Sequence, residues 1–206
     1  RMLVKKKSHY VDYNLFGTIT GRLTTKRTSN PILTMKSKFR ELIKPTNSWF
    51  LSLDYNGAEI RTFLGLSGHE QPEDDIHFWN MVHLYGGSPV DREEAKVRFF
   101  SSFYNNDDNS LEDSVYNREG VLGKYYDGKH ITTPFGRKIK VENRKAFNYI
   151  IQSTTADLTI DRAVALDKVL EDCKSKVAFI VHDEIVLDIH AEDRYKIPEL
   201  KEVFQN

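Results

Sequence analysis

A single cysteine, Cys173, in 206 residues leaves no possibility of an internal disulfide or a thiolate metal cluster. Its surroundings, VLEDCKSKV, read as the end of a helix, and no role is expected of it. No apolar run approaches the roughly 20 residues of a membrane span. The basic start RMLVKKKSHY lacks the apolar stretch of a signal peptide, so a soluble protein of a reducing compartment is expected, with no membrane partner. Repeats and low-complexity tracts are absent. Net charge is absent too: 30 Lys and Arg balance 30 Asp and Glu, which at first argues against a nucleic-acid partner.

The balance conceals segregation. Residues 1–50 carry 11 basic and 2 acidic groups, 51–120 carry 5 and 14, 121–150 carry 7 and 2, and 151–206 carry 7 and 12. Alternating blocks of this kind suit a surface that binds phosphates in one part and cations in another, and they suit ordinary solvated faces equally well.

The order of elements points to an α+β fold, a small antiparallel sheet flanked by helices. WFLSLDY reads as a strand and GAEIRTFLGLSG as the helix that follows it. DIHFWNMVHLYGG and DREEAKVRFFSSFY read as two more helices, the second with Ser88, Pro89 and Asp91 as start signals. NNDDNSLEDS is a polar loop, HITTPFGRKIKV a hairpin around Phe135 and Gly136, and the stretch from Glu142 to Cys173 one long helix or a broken pair. VAFIV, HDE and IVLDIH give strand, turn and strand.

Three constellations could carry chemistry. Asp54 and Asp183 each border a short apolar strand, and pairing those strands would bring the carboxylates together around a cation. Magnesium suits two such acids and the phosphates of a substrate, and two ions roughly 4 Å apart would serve a phosphoryl displacement; isolated surface acids are the competing explanation. Arg92, Lys96, Phe100 and Tyr104 recur every fourth residue, within a helical stripe about 120° wide. Two cations followed by two aromatics suit a nucleotide, and also suit an amphipathic helix with buried aromatics. Arg144, Asn148 and Gln152 form a polar stripe fit for sugar and phosphate contacts, or for water.

Together these stretches resemble the polymerase domain of family A DNA polymerases, the class typified by bacterial DNA polymerase I. LSLDYNGAEIR resembles the first carboxylate motif, D-Y-S-Q-I-E-L-R; REEAKVRFFSSFY resembles the fingers helix, R-x-x-x-K-x-x-x-F-x-x-x-Y; VHDEIV resembles the second carboxylate motif. TGRL at Thr20 to Leu23, DIH at Asp75 to His77, TPFGRKI and AFNYIIQSTTADL match further family segments in the same order.

The resemblance implies template-directed DNA synthesis on a primer-template, from deoxynucleoside triphosphates, by a two-metal-ion mechanism that releases pyrophosphate. It implies two Mg2+ ions, replaceable by Mn2+, held by Asp54, Asp183 and the carbonyl of Tyr55, with Glu184 in support. Arg92, Lys96 and His77 would bind the triphosphate, Lys96 also acting as general acid. Phe100 would pack on the nucleotide, Tyr104 would stack near the templating base, and Glu59 would exclude a ribose 2′-hydroxyl. Arg22, Arg144, Asn148, Gln152 and His182 would touch primer and template. The implied division is palm over 1–74, short fingers over 75–132 and palm again over 133–206, in the cytoplasm of a bacterium or a phage-infected host.

The chain departs from the family at Asn56 and Gly57, where Ser-Gln is usual, at Thr34 and Met35, where Gln-Asn is common, and at Asn105, where glycine follows the tyrosine. Only 28 residues, 105–132, separate Tyr104 from Thr133, so either compact fingers or a piece absent from this chain is expected, and by this resemblance no thumb or exonuclease is expected within it. A subunit of a split polymerase, served by another polypeptide, or a fragment is therefore expected. A single-subunit RNA polymerase shares the palm carboxylates, but Glu59 and Phe100 argue against it. A non-catalytic DNA-binding subunit is the remaining alternative.

Overall fold

The computed structural model of the chain describes residues 11–86, 90–104 and 115–205. In chain order its elements are β1 (Tyr13–Asn14), β2 (Thr24–Thr25), α1 (Ser37–Arg40), β3 (Trp49–Asp54), α2 (Ala58–Leu66), α3 (Ile76–His83), α4 (Arg92–Tyr104), α5 (Arg118–Tyr125), β4 (His130–Thr132), β5 (Lys138–Lys140), α6 (Asn143–Val169), β6 (Lys176–Val181), β7 (Glu184–Ile189), a 3-10 turn (Ala191–Lys196) and α7 (Ile197–Gln205). The α+β expectation is met: small antiparallel sheets and helices. No helix among the described residues is long and apolar enough to cross a membrane. The chain divides into two compact units, Arg1–Tyr55 with Ala156–Asn206, and Asn56–Thr155.

The first unit is built on a three-stranded antiparallel sheet ordered β3-β7-β6. β7 takes the centre because its sequence, EIVLDI, is buried from Ile185 through Ile189, as a strand covered on both faces must be. Leu53, Ile185, Leu187 and Ile189 pack with Ala163 and Leu166 of α6 and with Leu200 and Phe204 of α7. The polar exception in β7 is Asp188, 2 % exposed. Its carboxylate accepts from the backbone N–H of Thr46 at 2.9 Å and of Asn47 at 3.0 Å, so the buried charge is solvated by peptide groups and pins the segment entering β3.

The second unit has an aromatic core. Phe63 lies 4.7 Å from Phe147 and 5.0 Å from Tyr116, centroid to centroid, and Phe99 lies 4.8 Å from Tyr116. The Arg118 guanidinium covers the Phe147 ring at 4.3 Å. Arg61 staples the link between α2 and α3 by donating to the carbonyls of Asn56, Pro72 and Asp74 at 2.9, 2.8 and 2.8 Å.

Most expected elements are present. α6 is one unbroken helix of 27 residues. Its mid-helix threonines satisfy their hydroxyls on the preceding turn, Thr154 on the Ile150 carbonyl and Thr155 on that of Ile151. Asp91 starts α4 by accepting from the Glu94 N–H at 2.8 Å; Ser88 and Pro89 lie outside the described residues, as does the loop expected at NNDDNSLEDS. The β4–β5 hairpin turns at Gly136, whose φ of 79° favours glycine. β1, β2 and α1, which lie where the sequence suggests an irregular basic segment, and α5, α7 and the turn before α7 are additions to the sequence reading.

Truncating Phe147 removes a ring packed against Phe63, Phe103 and Arg118 at once. Phe147→Ala is expected to lower stability by about 3–5 kcal/mol in urea unfolding, and a loss below about 1 kcal/mol would contradict this packing.

Candidate functional site

In the first unit the carboxylates meet because of strand register. β3 and β7 pair antiparallel with Leu53 opposite Ile185 and Asp54 opposite Glu184. The β6–β7 pairing closes at Val181 opposite Glu184, which leaves His182 and Asp183 as a two-residue turn. Such a turn needs a left-handed residue, and exposed His182 supplies it at φ 59° without being glycine, a local strain held at a polar site. Desolvation together with the negative charges of Asp183 and Glu184 raises the Asp54 carboxyl above its usual range, against a lowering contribution from the Tyr55 N–H.

Glu184 is held from two sides. Its carboxylate accepts from the Ser52 hydroxyl at 2.5 Å and lies 3.6 Å from the Arg40 guanidinium. Neither Ser52 nor Arg40 figured in the sequence reading. Ser52 was within reach of it, since residues two apart on a strand share a face and Asp54 is its neighbour but one; for Arg40 no signal exists in the sequence. Tyr55 is fixed by stacking on Phe204 at 4.1 Å and by donating its hydroxyl proton to the Phe204 carbonyl at 2.7 Å.

Among the described residues no group of three or more His, Cys, Asp or Glu side chains is spaced to hold a metal ion. The oxygen donors of Asp54 and Asp183 nonetheless fit a hard divalent cation that keeps its waters and takes one or two carboxylates from the protein. The Asp54 carboxyl, raised first by burial and then by the charges of Asp183 and Glu184, would be lowered again by a cation placed there.

In the second unit a cationic cluster gathers where α3 and α4 pack. The Asp75 carboxylate grips Arg92 side-on, at 3.0 Å to Nε and 2.7 Å to Nη2, and caps α3 by accepting from the Phe78 N–H at 2.9 Å. These bonds hold the Asp75 carboxyl far below its usual range. His77 is buried, 6.0 Å from the Phe100 ring, and its Nδ1 has no hydrogen-bond partner among the described residues. Burial, with Arg92 and Lys96 nearby, lowers its pKa against the opposing pull of Asp75, so the imidazole is neutral at pH 7. The structure thus brings together Arg92, Lys96, His77 and Phe100. Glu59 is half-buried in the first turn of α2. Tyr104 ends α4, and its side chain lies outside what is described.

The remaining candidates are dispersed. Arg22 is exposed between β1 and β2 in the first unit. Arg144, Asn148 and Gln152 follow one stripe of α6 in the second: Arg144 is exposed and pairs with Glu142 at 3.0 Å, while Asn148 and Gln152 are half-buried. The Asn148 amide oxygen is buried with no hydrogen-bond partner among the described residues.

No family model matches the chain. It is similar to the thermostable DNA polymerase I of Thermus thermophilus, 28% identical over 245 residues, covering 94% of this chain and 30% of that protein. The thermostable DNA polymerase I of Thermus filiformis is 26% identical over 275 residues, covering 100% of this chain and 33% of the relative. DNA polymerase I of Lactococcus lactis subsp. lactis is 27% identical over 206 residues, covering 76% and 24%. The chain therefore spans between about a quarter and a third of the length of these relatives. A solved structure, the POL domain of Pol1 from M. smegmatis in complex with DNA primer-template and dNTP, superposes with a TM-score of 0.67 at 17% identity, covering 93% of this chain and 44% of that one. That likeness is one of fold.

A carboxyl raised in the folded chain makes the folded state bind its proton more tightly than the unfolded state does, so its contribution to stability falls as pH rises from the ordinary value of 3.8 through the raised one. In metal-free buffer Asp54→Asn is therefore expected to raise the melting temperature, by a margin that grows as pH rises above the ordinary value of 3.8 and then levels off. A margin independent of pH in scanning fluorimetry would count against a carboxyl raised by burial and by its acidic neighbours.

Proposed function

From a chain that is a relative of the family A DNA polymerases, we propose a DNA-directed DNA polymerase activity, in which deoxynucleotides are added to a primer 3′-hydroxyl under the direction of a template. The observation that carries this reading is the strand register that sets Asp54 beside the turn bearing Asp183. In this reading residues 1–74 and 133–206 form the palm and 75–132 a short fingers part, working in a bacterial or phage-infected cytoplasm.

Two magnesium ions, or manganese in their place, would be held by Asp54, Asp183 and the Tyr55 carbonyl, and would supply activation of the attacking oxygen and neutralisation of phosphate charge. Glu184 would support that site without entering it, because Ser52 and Arg40 already engage its oxygens. The primer hydroxyl would lose its proton to solvent water as its oxygen forms the bond to the α-phosphorus in line with the departing pyrophosphate oxygen, and Arg92 and Lys96 would take up the charge of the leaving group. Lys96 would donate the proton that pyrophosphate needs. Neutral His77 would give a hydrogen bond to the phosphates, Phe100 would pack on the nucleotide, and Tyr104 would stack near the templating base. Glu59 would stand against a ribose 2′-hydroxyl. Arg22, Arg144, Asn148, Gln152 and His182 would follow the primer-template by shape and phosphate contacts.

Magnesium-dependent extension of a labelled primer by the unmodified chain is expected to be lost in Asp54→Ala and in Asp183→Ala, while Glu184→Gln keeps part of it. Extension that survives both aspartate changes would remove Asp54 and Asp183 from the chemistry. No extension by the unmodified chain would instead support a DNA-binding part that depends on a partner, and preferential use of ribonucleotides would support an RNA polymerase.

A further inference from the structure

Asn56 and Gly57, which depart from the family's Ser-Gln, both touch the start of α3. The Asn56 amide donates to Asp75 Oδ2 at 2.6 Å, and its oxygen receives the Ile76 N–H at 3.4 Å. Gly57 has φ 70°, and a Cβ there would lie 2.6 Å from Ile76 Cγ2, so a side chain at this position would push the two segments apart. The departures act together: glycine permits the approach and asparagine uses it.

Asp75 is saturated as a result. A carboxylate has about four acceptor sites, and four hydrogen bonds reach Asp75: Arg92 Nε and the Phe78 N–H on Oδ1, Arg92 Nη2 and Asn56 Nδ2 on Oδ2. Arg92 is held but not used up. A guanidinium has five N–H donors; two go to Asp75 and one to Glu93, at 2.5 Å from Nη1. Among the described residues one hydrogen on each Nη is left over, two donors available to phosphate oxygens.

We infer that Asn56 and Asp75 are positioning residues for a polyphosphate ligand, fixing the Arg92 guanidinium so that its uncommitted pair of N–H donors faces the phosphate. This rests on the reading of Arg92 as a triphosphate ligand. A freely rotating arginine would lose side-chain freedom on binding, whereas the clasped one has already lost it. Asn56 acts one step back, by keeping the Asp75 carboxylate from turning.

Inorganic tripolyphosphate, titrated calorimetrically into the full chain, tests the inference without requiring catalysis. Asn56→Ala is expected to weaken binding about 3–10-fold, and Asn56→Asp and Asp75→Asn about 10-fold or more. Asn56→Asp keeps the shape but sets a second carboxylate against Asp75. Asp75→Asn keeps the α3 cap, since asparagine caps as well as aspartate, but gives up the charged grip. Combining Asn56→Ala with Asp75→Asn should add nothing beyond Asp75→Asn alone, and Arg92→Ala should give the floor of the series. In primer extension the Asn56 and Asp75 variants should raise the KM for dATP by a larger factor than they lower kcat, whereas Arg92→Ala should lower both kcat and affinity.

A packing role for Asn56 would order the variants the other way, alanine worse than isosteric aspartate, and that order would overturn the inference. So would affinities unchanged in Asn56→Asp and Asp75→Asn, or no tripolyphosphate binding by the unmodified chain. Should one variant fail to fold by circular dichroism, the other decides. The expected calorimetric order without primer extension would support the clasp and refute the polymerase reading alone.

Discussion

The antiparallel register of β3 on β7 governs what the first unit can do. Leu53 faces Ile185 and Leu51 faces Leu187, so the apolar alternation of two strands locks the pairing. A slip of one residue would turn the buried Leu53 out to solvent, where the chain has no means of recovering the lost burial. The same lock sets Asp54 opposite Glu184 and places Asp183 in the adjoining turn. Like charges directly opposite on neighbouring strands are unfavourable by up to about 1 kcal/mol, and burial of Leu53, Ile185 and Leu187 exceeds that cost several times over. The core thus imposes an electrostatic arrangement that the acids alone would avoid.

The protein moderates that repulsion selectively. Glu184 receives a hydroxyl and a guanidinium, whereas Asp54 carries the raised pKa. A carboxylate whose oxygens are engaged by the protein is a poor ligand for anything else. One left desolvated and facing like charges gains most from an arriving cation. Glu184 and Asp54 therefore differ in chemistry although they share a neighbourhood, and Ser52 and Arg40 supply part of that difference.

What was legible in the sequence follows from periodicity. WFLSLDY, IVLDIH and the α2 to α4 segments carry strong alternation or helical spacing, and they folded as such. α5 carries little: REGVLGKY has two glycines in its interior and buries only Val121, so no stripe announces it. α7 has a readable pair, Leu200 and Phe204, one turn apart, but a single turn is too short to separate helix from loop. Long-range partners were beyond any local pattern. Arg40 lies in the most basic block, where charge suggested a surface for phosphates, and its guanidinium instead points at Glu184. Block charge describes a surface on average and says nothing about one side chain.

The second unit shows how a motif's departures can be as informative as its matches. The Arg92 to Phe100 stripe identified cations at the right spacing, and spacing could not tell a fixed cation from a mobile one. Asp75 and Glu93 hold Arg92, whereas among the described residues Lys96 forms no ion pair. A side chain held on three donors suits a lasting contact with phosphate, because its conformational freedom is already gone. A lysine left uncommitted suits proton transfer, which needs a group able to approach and withdraw. The difference between a held and an unheld cation originates outside the stripe: Arg61 fixes the segment from Asn56 to Asp74 through its carbonyls, that segment delivers Asp75, and Asp75 holds Arg92.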